Sequence, residues 1–494
     1  MLKITAAIIT DLTLIMKIKN YINGELLDPI EGNQIDNIEP ATGKVFGTIP
    51  DSQSTDVQKA VDTAQAAFPS WSSLDHNKRA QYMFAIADGI RARFEDFVAA
   101  ESQDNGKPIS LARAVDIPRA ISNFEHFGHA ITQFSSESHS MPGVAINYTL
   151  RQPIGIVGCI SPWNLPLYLF SWKIAPALAA GNCVIAKPSE VTPLTGYLLS
   201  KVCKDVGLPP GVLNILHGTG PSLGDAIVSH PKIKAISFTG GTTTGKIIAA
   251  KAAPMFKKLS LELGGKNPNI IFADCDYDEM LRTTVRSSFA NQGQICLCGS
   301  RIIVEDKIYE KFVADFTDKV SKMKVGDPND ANTKLGALVS KPHMEKVLSY
   351  IEVAKEEGGK IETGGHQVNL EGRCSDGYFV RPTVITGLSP NARCNQEEIF
   401  GPVVTITPFS TVEEALSIAN GVVYGLSCTI WTNNIKKAHN LASQIEAGVV
   451  WINCWLLRDL RTPFGGMKAS GVGREGGLEV LRFFTEAKNV CVKL

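Results

Sequence analysis

The chain has 494 residues, of which 44% are hydrophobic, 49 are basic and 49 are acidic. This length is too great for one ordinary hydrophobic core and predicts two or three packed units. The balanced charge excludes a global electrostatic field that would draw the protein to nucleic acid or to an anionic membrane, so we expect neither as a partner.

The N-terminal stretch TAAIITDLTLIM, residues 5–16, is a candidate targeting segment. Asp11 interrupts it, it is too short to span a bilayer, and it lacks a small-residue cleavage site. We expect Met16 to be the natural start and the residues before it to be an extension that contributes nothing to the fold; a signal peptide is the alternative. The 11 cysteines show neither zinc-binding pairs nor a secreted disulfide framework, which predicts a cytoplasmic protein without a metal site.

Helical and then alternating patterns follow along the chain. Residues 55–105 carry apolar residues three and four positions apart with charges between them, which predicts amphipathic helices. From residue 154, strand candidates such as GIVGCI, NCVIA and KAISF alternate with helical segments in units of about thirty residues. This alternation is typical of a parallel sheet with helices on both faces, a nucleotide-binding architecture.

A second alternating series runs from about residue 260 to 480, with strands such as NIIFA, RIIV and VVTITPF, and predicts a second α/β domain. Residues 131–150 break the rhythm with a polar run that leads into VAINYTLRQP, which is typical of a β-hairpin, and the chain ends on a strand, NVCVKL. A protruding hairpin and a terminal strand with unpaired edges favour pairing with another subunit.

The stretch FTGGTTTGKI, residues 238–247, departs at one position from a phosphate-binding P-loop. Its final residue is Ile247, whose aliphatic side chain has no oxygen to offer magnesium. Either the match is a coincidence, or Gly240 and Gly245 serve a nucleotide that is bound without a metal. A magnesium-dependent ATPase is therefore disfavoured.

The segment FANQGQICLCGSR carries the candidate nucleophile. Cys296 follows a Gly-Gln pair at the end of a helical stretch, so we expect its thiol at an irregular turn whose free backbone amides favour a reactive thiolate. The alternative is an inert, buried thiol, and this is what we expect of Cys298.

Two further polar residues stand in unusual surroundings. Glu262 in LSLELGGK lies in an apolar strand, where an unpaired carboxyl group would titrate high; it is either a general base or a salt-bridged edge residue. In SPWNLPL, Asn164 is flanked by Pro162 and Pro166, which fix the local backbone. Its amide is either a turn former or a donor aimed at an oxyanion.

These motifs, together with AKPSE, EEIFGPV and PFGGMKASGVGREGG, resemble the NAD(P)-dependent aldehyde dehydrogenase family, in the right order from about residue 20 to 494. The resemblance implies an α/β fold with a Rossmann-type NAD-binding domain, an α/β catalytic domain and a small β oligomerisation element, assembled as a homodimer or homotetramer. The expected bounds are 16–130 and 151–259 for the NAD-binding domain, 260–478 for the catalytic domain, and 131–150 with 479–494 for the oligomerisation element.

The resemblance also implies a reaction. Cys296 attacks the aldehyde carbonyl to give a thiohemiacetal, while the Asn164 side-chain amide and the Cys296 backbone N–H hold the oxyanion. Hydride passes to the nicotinamide and leaves a thioester, and Glu262 then activates the water that releases the acid. Lys173 and Glu475 match positions proposed to relay protons, with ordinary paired charges as the alternative. An inactive member would be expected to lack the nucleophile or the base, and both are present.

Cofactor contacts follow from the same resemblance. Ile247 is acceptable in a turn that approaches the pyrophosphate of NAD, because no magnesium-bound triphosphate is hydrolysed there. A carboxylate at Glu190 accepts hydrogen bonds from ribose hydroxyls and repels a 2′-phosphate, which favours NAD over NADP. The implied cofactor-binding residues are Trp163, Lys187, Glu190, Gly240, Gly245, Leu263, Glu398 and Phe400.

The segments RAVDIPRAISNF and WINCWLLRDLRTPFGGMK resemble the branch of the family that acts on 2-aminomuconate or 2-hydroxymuconate 6-semialdehyde, intermediates of tryptophan and aromatic-ring catabolism. Such a substrate carries a carboxylate, which a guanidinium grips with two parallel hydrogen bonds. By the resemblance, Arg119 and Arg458 form this grip and Leu165 lines the substrate site; Arg461 is a weaker candidate. A solvated surface charge is the alternative for each arginine. The amino substrate is favoured, and the hydroxy substrate or a broader aliphatic or aromatic aldehyde stays open.

Overall fold

The computed structural model describes residues 16–494, so the interpretation of the N-terminal extension or signal peptide lies outside the described residues. Within this range, no helix is long and apolar enough to cross a membrane. Three consecutive helices confirm the helical periodicity of residues 55–105. The α-helices are α1 (Ser54–Ser72), α2 (His76–Ala92), α3 (Phe94–Asn105), α4 (Ile109–Leu111), α5 (Ile117–Thr132), α6 (Pro166–Ala179), α7 (Leu194–Asp205), α8 (Asp225–Ser229), α9 (Thr242–Ala252), α10 (Tyr277–Phe289), α11 (Tyr309–Ser321), α12 (Lys341–Glu356), α13 (Arg393–Gln396), α14 (Val412–Asn420), α15 (Ile435–Ala442) and α16 (Gly477–Phe483).

The strands are short and mostly buried, as expected of sheets covered by helices on both faces. They are β1 (Met16–Lys17), β2 (Asn20–Ile22), β3 (Glu25–Leu27), β4 (Gln34–Glu39), β5 (Lys44–Pro50), β6 (Ser138–Met141), β7 (Ala145–Pro153), β8 (Ile156–Ile160), β9 (Cys183–Lys187), β10 (Leu213–Ile215), β11 (Ile233–Thr239), β12 (Lys258–Glu262), β13 (Pro268–Ile271), β14 (Arg301–Glu305), β15 (Lys360–Thr363), β16 (Thr383–Thr386), β17 (Val403–Phe409), β18 (Tyr424–Gly425), β19 (Ser427–Trp431), β20 (Val449–Ile452), β21 (Met467–Lys468), β22 (Gly471–Val472) and β23 (Thr485–Lys493).

The first large sheet has eight strands in the order β22-β12-β11-β8-β9-β10-β2-β3. Its central strands, from β12 to β10, run parallel, and β22 and β2 pair antiparallel at either side of them. Apolar side chains of α1, α2, α5 and α6 pack with this sheet in one core. The parallel, Rossmann-type sheet predicted from the alternation after residue 154 is confirmed.

The end of the chain returns to this first sheet. Strand β12 pairs with β11, so the domain boundary expected between residues 259 and 260 falls inside a strand of the first unit. Strand β22 pairs with β12, and Val480, Leu481 and Phe484 are buried in the first core. Residues 471–484 therefore complete the first unit, in contrast to the boundary expected at 478. The alternation along a sequence predicts strands but not their partners, which explains both differences.

The second large sheet has seven strands in the order β15-β16-β17-β14-β13-β19-β20. All neighbours are parallel except β15, which runs antiparallel to β16. Helix α10 leads from β13 to the Cys296 loop and on to β14. The second α/β unit predicted from residue 260 onward is confirmed, although it begins after β12.

A three-stranded sheet in the order β23-β7-β6 lies apart from both large sheets. The predicted hairpin is present as β6 and β7, and β23 pairs antiparallel with β7 from Thr485↔Pro153 to Lys493↔Ala145. The terminal strand is therefore already paired along one edge, and the outer edges of β6 and β23 remain. The terminal strand, which was expected to have unpaired edges, therefore has one edge paired with β7.

Candidate active site

The Cys296 loop follows α10 and is held in an unusual backbone conformation. Helix α10 ends at Phe289, and Asn291 and Gln292 then adopt left-handed conformations with φ of 51° and 57°. The turn brings Cys296 to the wall shared by two cavities, of about 220 and 180 Å³. Cys298 is buried and lines neither of them. The irregular turn predicted at Cys296 is confirmed.

The electrostatic surroundings of Cys296 differ from the expectation. Burial raises the pKa of the Cys296 thiol well above its usual range, and the carboxyl groups of Glu398 and Glu262 raise it further. The sequence predicted free amides around an anion, but it did not reveal that two carboxyl groups face the thiol. Both effects favour the neutral thiol over the thiolate.

Glu262 is the last residue of β12 and is only 4% exposed. Neither of its carboxyl oxygens has a hydrogen-bond partner within residues 16–494. Burial raises the pKa of Glu262 well above its ordinary value, and the neighbouring Glu475 raises it further. Glu262 is thus not the salt-bridged edge residue of the alternative, because it lacks an ion-pair partner in the described chain. It lines the larger of the two cavities beside Cys296.

Asn164 lies in the loop between β8 and α6 and lines the smaller cavity with Cys296. Its side-chain Nδ2 donates a 2.9 Å hydrogen bond to the carbonyl of Gln294, two residues before the cysteine. An amide NH₂ has two hydrogens, so one remains for another acceptor. The cysteine loop therefore orients this amide, whereas the sequence suggested only the two flanking prolines.

Lys173 and Glu475 form a buried ion pair of 2.7 Å. Ser237 Oγ lies 3.2 Å from both the ammonium and the carboxylate, which closes a small triangle of hydrogen bonds. Glu475 lines the larger cavity together with Glu262, whereas Lys173 does not reach it. The pair stands next to the candidate base and shifts its titration, because Glu475 raises and Lys173 lowers the pKa of Glu262.

A cavity of about 570 Å³ opens where β8, β9 and β11 end and α9 begins. Gly240 lines it, and so do Lys187 and Glu190, whose Nζ and Oε2 atoms are 2.9 Å apart. The hydroxyls of Ser161 and Thr239 are buried in its wall without a hydrogen-bond partner in the described chain. Unsatisfied hydroxyls and the N-terminus of a helix suit a ligand rich in anionic and hydroxyl oxygens, such as a dinucleotide.

The smaller cavity continues from the dinucleotide-sized one to Cys296, and five of the predicted cofactor residues line it: Trp163, Gly240, Leu263, Glu398 and Phe400. Gly245 lines neither cavity. A Cβ at Gly245 would lie 2.5 Å from Leu263 Cδ2, so the glycine lets α9 pack against that side chain. Its contribution is packing, in contrast to the direct approach to the cofactor that the sequence suggested.

The larger cavity holds the candidate substrate residues Leu165 and Arg458. Arg458 donates a 3.1 Å hydrogen bond to Tyr168 Oη and lies 3.9 Å over the ring of Phe464. Arg119 does not line this cavity, but its guanidinium lies 5.3 Å over the ring of the same Tyr168. The two arginines therefore converge on one tyrosine from distant parts of the chain.

Of the other two arginines in this region, Arg461 lies outside the cavities and Arg286, which was not predicted, lines the larger one. Arg461 pairs with Asp459 at the surface and lines none of the cavities near Cys296. Arg286, an exposed residue of α10, lines the larger cavity and lies 5.7 Å over the ring of Trp455. Sequence reasoning missed Arg286; the available signal was its position one turn before the end of the helix that leads to Cys296.

Comparisons with known proteins agree with this geometry. The family model described as "Aldehyde dehydrogenase family" matches residues 28–490. The chain is 49% identical to a 2-aminomuconic semialdehyde dehydrogenase of Danio rerio, over 96% of this chain and 98% of the relative. It is 46% identical to a 2-hydroxymuconic semialdehyde dehydrogenase of a Pseudomonas species, over 97% and 100%. The solved NAD⁺ complex of an aldehyde dehydrogenase from Bacillus cereus superposes with a TM-score of 0.94 at 40% identity, covering 97% of each chain.

Proposed function

Because the chain belongs to the aldehyde dehydrogenase family, we propose that it oxidises 2-aminomuconate 6-semialdehyde to 2-aminomuconate with NAD, as a step of tryptophan catabolism. Its activity as an oxidoreductase on aldehydes follows from the family. The observation that carries the substrate is the guanidinium of Arg458, which shares a cavity with Cys296 and has no carboxylate partner within residues 16–494. The relatives named for muconic semialdehydes support the same assignment.

Cys296 is the nucleophile. Its sulfur forms a bond to the aldehyde carbon, the thiol proton passes to solvent water, and the π electrons of the carbonyl move to the oxygen, which takes on negative charge. The second amide hydrogen of Asn164 and the backbone N–H of Cys296 donate to that oxygen; the Cys296 N–H has no acceptor in the described chain. Donors held in place before the reaction stabilise the oxyanion without reorganisation.

Glu262 is the base that activates water to hydrolyse the thioester. A carboxylate whose pKa is raised by burial is a stronger base than one in water, and its two free oxygens are available to a water molecule. The buried pair of Lys173 and Glu475 passes protons away from Glu262. Glu475 lines the same cavity as Glu262, and Lys173 pairs with it from behind the wall, which supports this role.

The cavities fit NAD, and a solved neighbour that binds NAD⁺ supports this cofactor. Lys187 and Glu190 would hold the adenosine ribose, Gly240 and the start of α9 would approach the pyrophosphate, and Glu398 and Phe400 would contact the nicotinamide ribose; all of them line these cavities. The bound nicotinamide supplies the chemistry of a two-electron acceptor beside Cys296. Trp163 and Leu263 line the same cavity as Cys296 and would contact the nicotinamide there.

Arg458 holds the carboxylate of the substrate, Arg119 adds positive charge from behind Tyr168, and Leu165 lines the path of the carbon chain. A guanidinium stays charged at every working pH and matches a carboxylate with paired hydrogen bonds. The hydroxy analogue carries the same carboxylate, so 2-hydroxymuconate 6-semialdehyde is the second candidate, and the 46% identical relative favours it.

The test is the rate of NADH formation with the purified protein. Initial rates would be compared for the amino semialdehyde, its hydroxy analogue and 2,4-hexadienal, a neutral six-carbon aldehyde. We expect the highest kcat/KM with the amino compound and the lowest with hexadienal. A higher kcat/KM with hexadienal than with both semialdehydes would contradict the assignment.

The enzyme works in the cytoplasm as a homodimer or homotetramer. All eleven cysteines are free thiols, as expected in a reducing compartment. Strands β6, β7 and β23 carry exposed apolar residues along an open sheet, and such an edge is usually covered by another chain.

A further inference from the structure

Asn291 joins two segments that both contribute to the oxyanion site. Its side-chain Nδ2 donates to the carbonyl of Asn164 at 2.9 Å and to the carbonyl of Gln294 at 3.2 Å. The Asn164 amide donates to the same Gln294 carbonyl at 2.9 Å. The three residues therefore close a cycle between the loop after β8 and the loop that carries Cys296.

The conformation of Asn291 is suited to this position. Its φ of 51° and ψ of 40° lie in the left-handed region, which asparagine tolerates better than most side chains. The residue is 1% exposed, and its Oδ1 has no partner within residues 16–494. A buried amide with an unsatisfied oxygen is costly, so its presence calls for a reason other than filling space.

A second donor fixes the Asn164 end of this cycle. Lys107 Nζ donates to the Asn164 carbonyl at 3.1 Å, and this ammonium is held by Asp116 at 2.8 Å. Both charged side chains are fully buried. Lys107 thus anchors the Asn164 carbonyl from within the first unit. Among the hydrogen bonds of the described residues, only that from Asn291 links this carbonyl to the cysteine loop.

From this geometry we propose that Asn291 is a positioning residue that sets the separation between the two oxyanion donors, the Asn164 amide and the Cys296 backbone N–H. The inference rests on the proposed function, which gives those two groups their role. Asn291 touches neither substrate nor cofactor; it acts through the loops that it joins. Loss of its amide leaves the Cys296 thiol able to react but changes the distance between the Asn164 amide and the Cys296 N–H.

The test compares Asn291→Gly with Gln292→Gly. Glycine adopts positive φ without strain, so each variant removes one buried side chain at matched backbone geometry. Gln292 donates to the Ala337 carbonyl, outside the cycle. Each variant would be measured for the pre-steady-state burst of NADH, NAD affinity, thermal midpoint, and the rate at which iodoacetamide alkylates Cys296, a reaction that needs no oxyanion site.

We expect Asn291→Gly to slow the burst about ten- to a hundredfold, with alkylation and NAD affinity within about twofold of the parent. Gln292→Gly should retain the burst. An unchanged burst in Asn291→Gly, or an equal loss in Gln292→Gly, overturns the inference. Asn164→Ala separates this from the proposed function: if it leaves the burst intact, the oxyanion assignment itself fails, whereas a collapsed burst there beside an intact one in Asn291→Gly refutes only the positioning role.

Discussion

Replacing Arg458 by methionine removes a charge from the substrate cavity while keeping an unbranched apolar stem. The guanidinium stacks on Phe464 at 3.9 Å and donates one hydrogen bond, to Tyr168. Methionine preserves much of the packing on the ring, so the loss of positive charge is the main change. We expect catalysis on a substrate with a carboxylate to fall and catalysis on a neutral aldehyde to persist.

The size of the fall in kcat/KM follows from the hydrogen bonds that Arg458 has available for the substrate. A hydrogen bond to a charged group contributes about 1.5 to 3 kcal/mol, and each 1.36 kcal/mol is about tenfold in rate. Arg458 already donates one N–H to Tyr168, and we count the loss of one charged hydrogen bond to the substrate carboxylate. The kcat/KM for the amino semialdehyde should therefore fall about ten- to a hundredfold.

The assay is kcat/KM for the semialdehyde divided by kcat/KM for 2,4-hexadienal, measured for the parent, Arg458→Met and Arg461→Ala. Arg461 is the matched control, because its side chain is 81% exposed and pairs with Asp459. The ratio should fall only in Arg458→Met. Equal losses on both aldehydes would make Arg458 structural, and no loss on either would refute the muconic assignment.

Other substitutions test the catalytic groups. Cys296→Ala should abolish NADH formation and Cys298→Ala should retain most of it, because only the former lines the two cavities; equal loss in initial rates would overturn the assignment. Glu262→Gln should keep the NADH burst but lose steady turnover in stopped-flow traces, and a missing burst with NAD bound would place Glu262 in an earlier step. Burial raises the pKa of Glu262, so its basic form grows as pH rises; parent turnover should increase from neutral to alkaline pH, and a flat profile would argue against this base. Lys173→Met should cost about 3 to 5 kcal/mol of stability by leaving the Glu475 carboxylate buried and unpaired; thermal unfolding checks this, and recovery should follow when Glu475→Leu is added.

The sequence predicts those parts of the site that short segments carry. The strand that ends at Glu262 and the turn before Cys296 depend on neighbours in the chain, and the structure has them where they were expected. Contacts between segments that are far apart in the chain leave no local signal in the sequence. Asn164 bonds Gln294 across 130 residues, and Lys173 meets Glu475 across 302.

The same reason explains the errors. The pKa of Cys296 depends on Glu398 and Glu262, which reach it from other elements. In the sequence, Arg286 cannot be told from any other exposed helical arginine; only the folded structure shows that it lies over Trp455. The pairing of β12 with β11 and β22 is likewise decided by the packed sheet, not by the rhythm of apolar residues.

The return of the chain end to the first sheet has a consequence for biosynthesis. Strand β22 pairs with the edge of β12, and the Asn182 amide donates to the Phe484 carbonyl at 2.9 Å, so the first unit is closed by residues that are synthesised after the second sheet. Domains usually fold in the order in which they are synthesised. Here the first unit keeps the edge of β12 and part of its core uncovered until the second sheet has been synthesised. A nascent chain of this protein is therefore expected to present a hydrophobic surface to chaperones while the second sheet is translated.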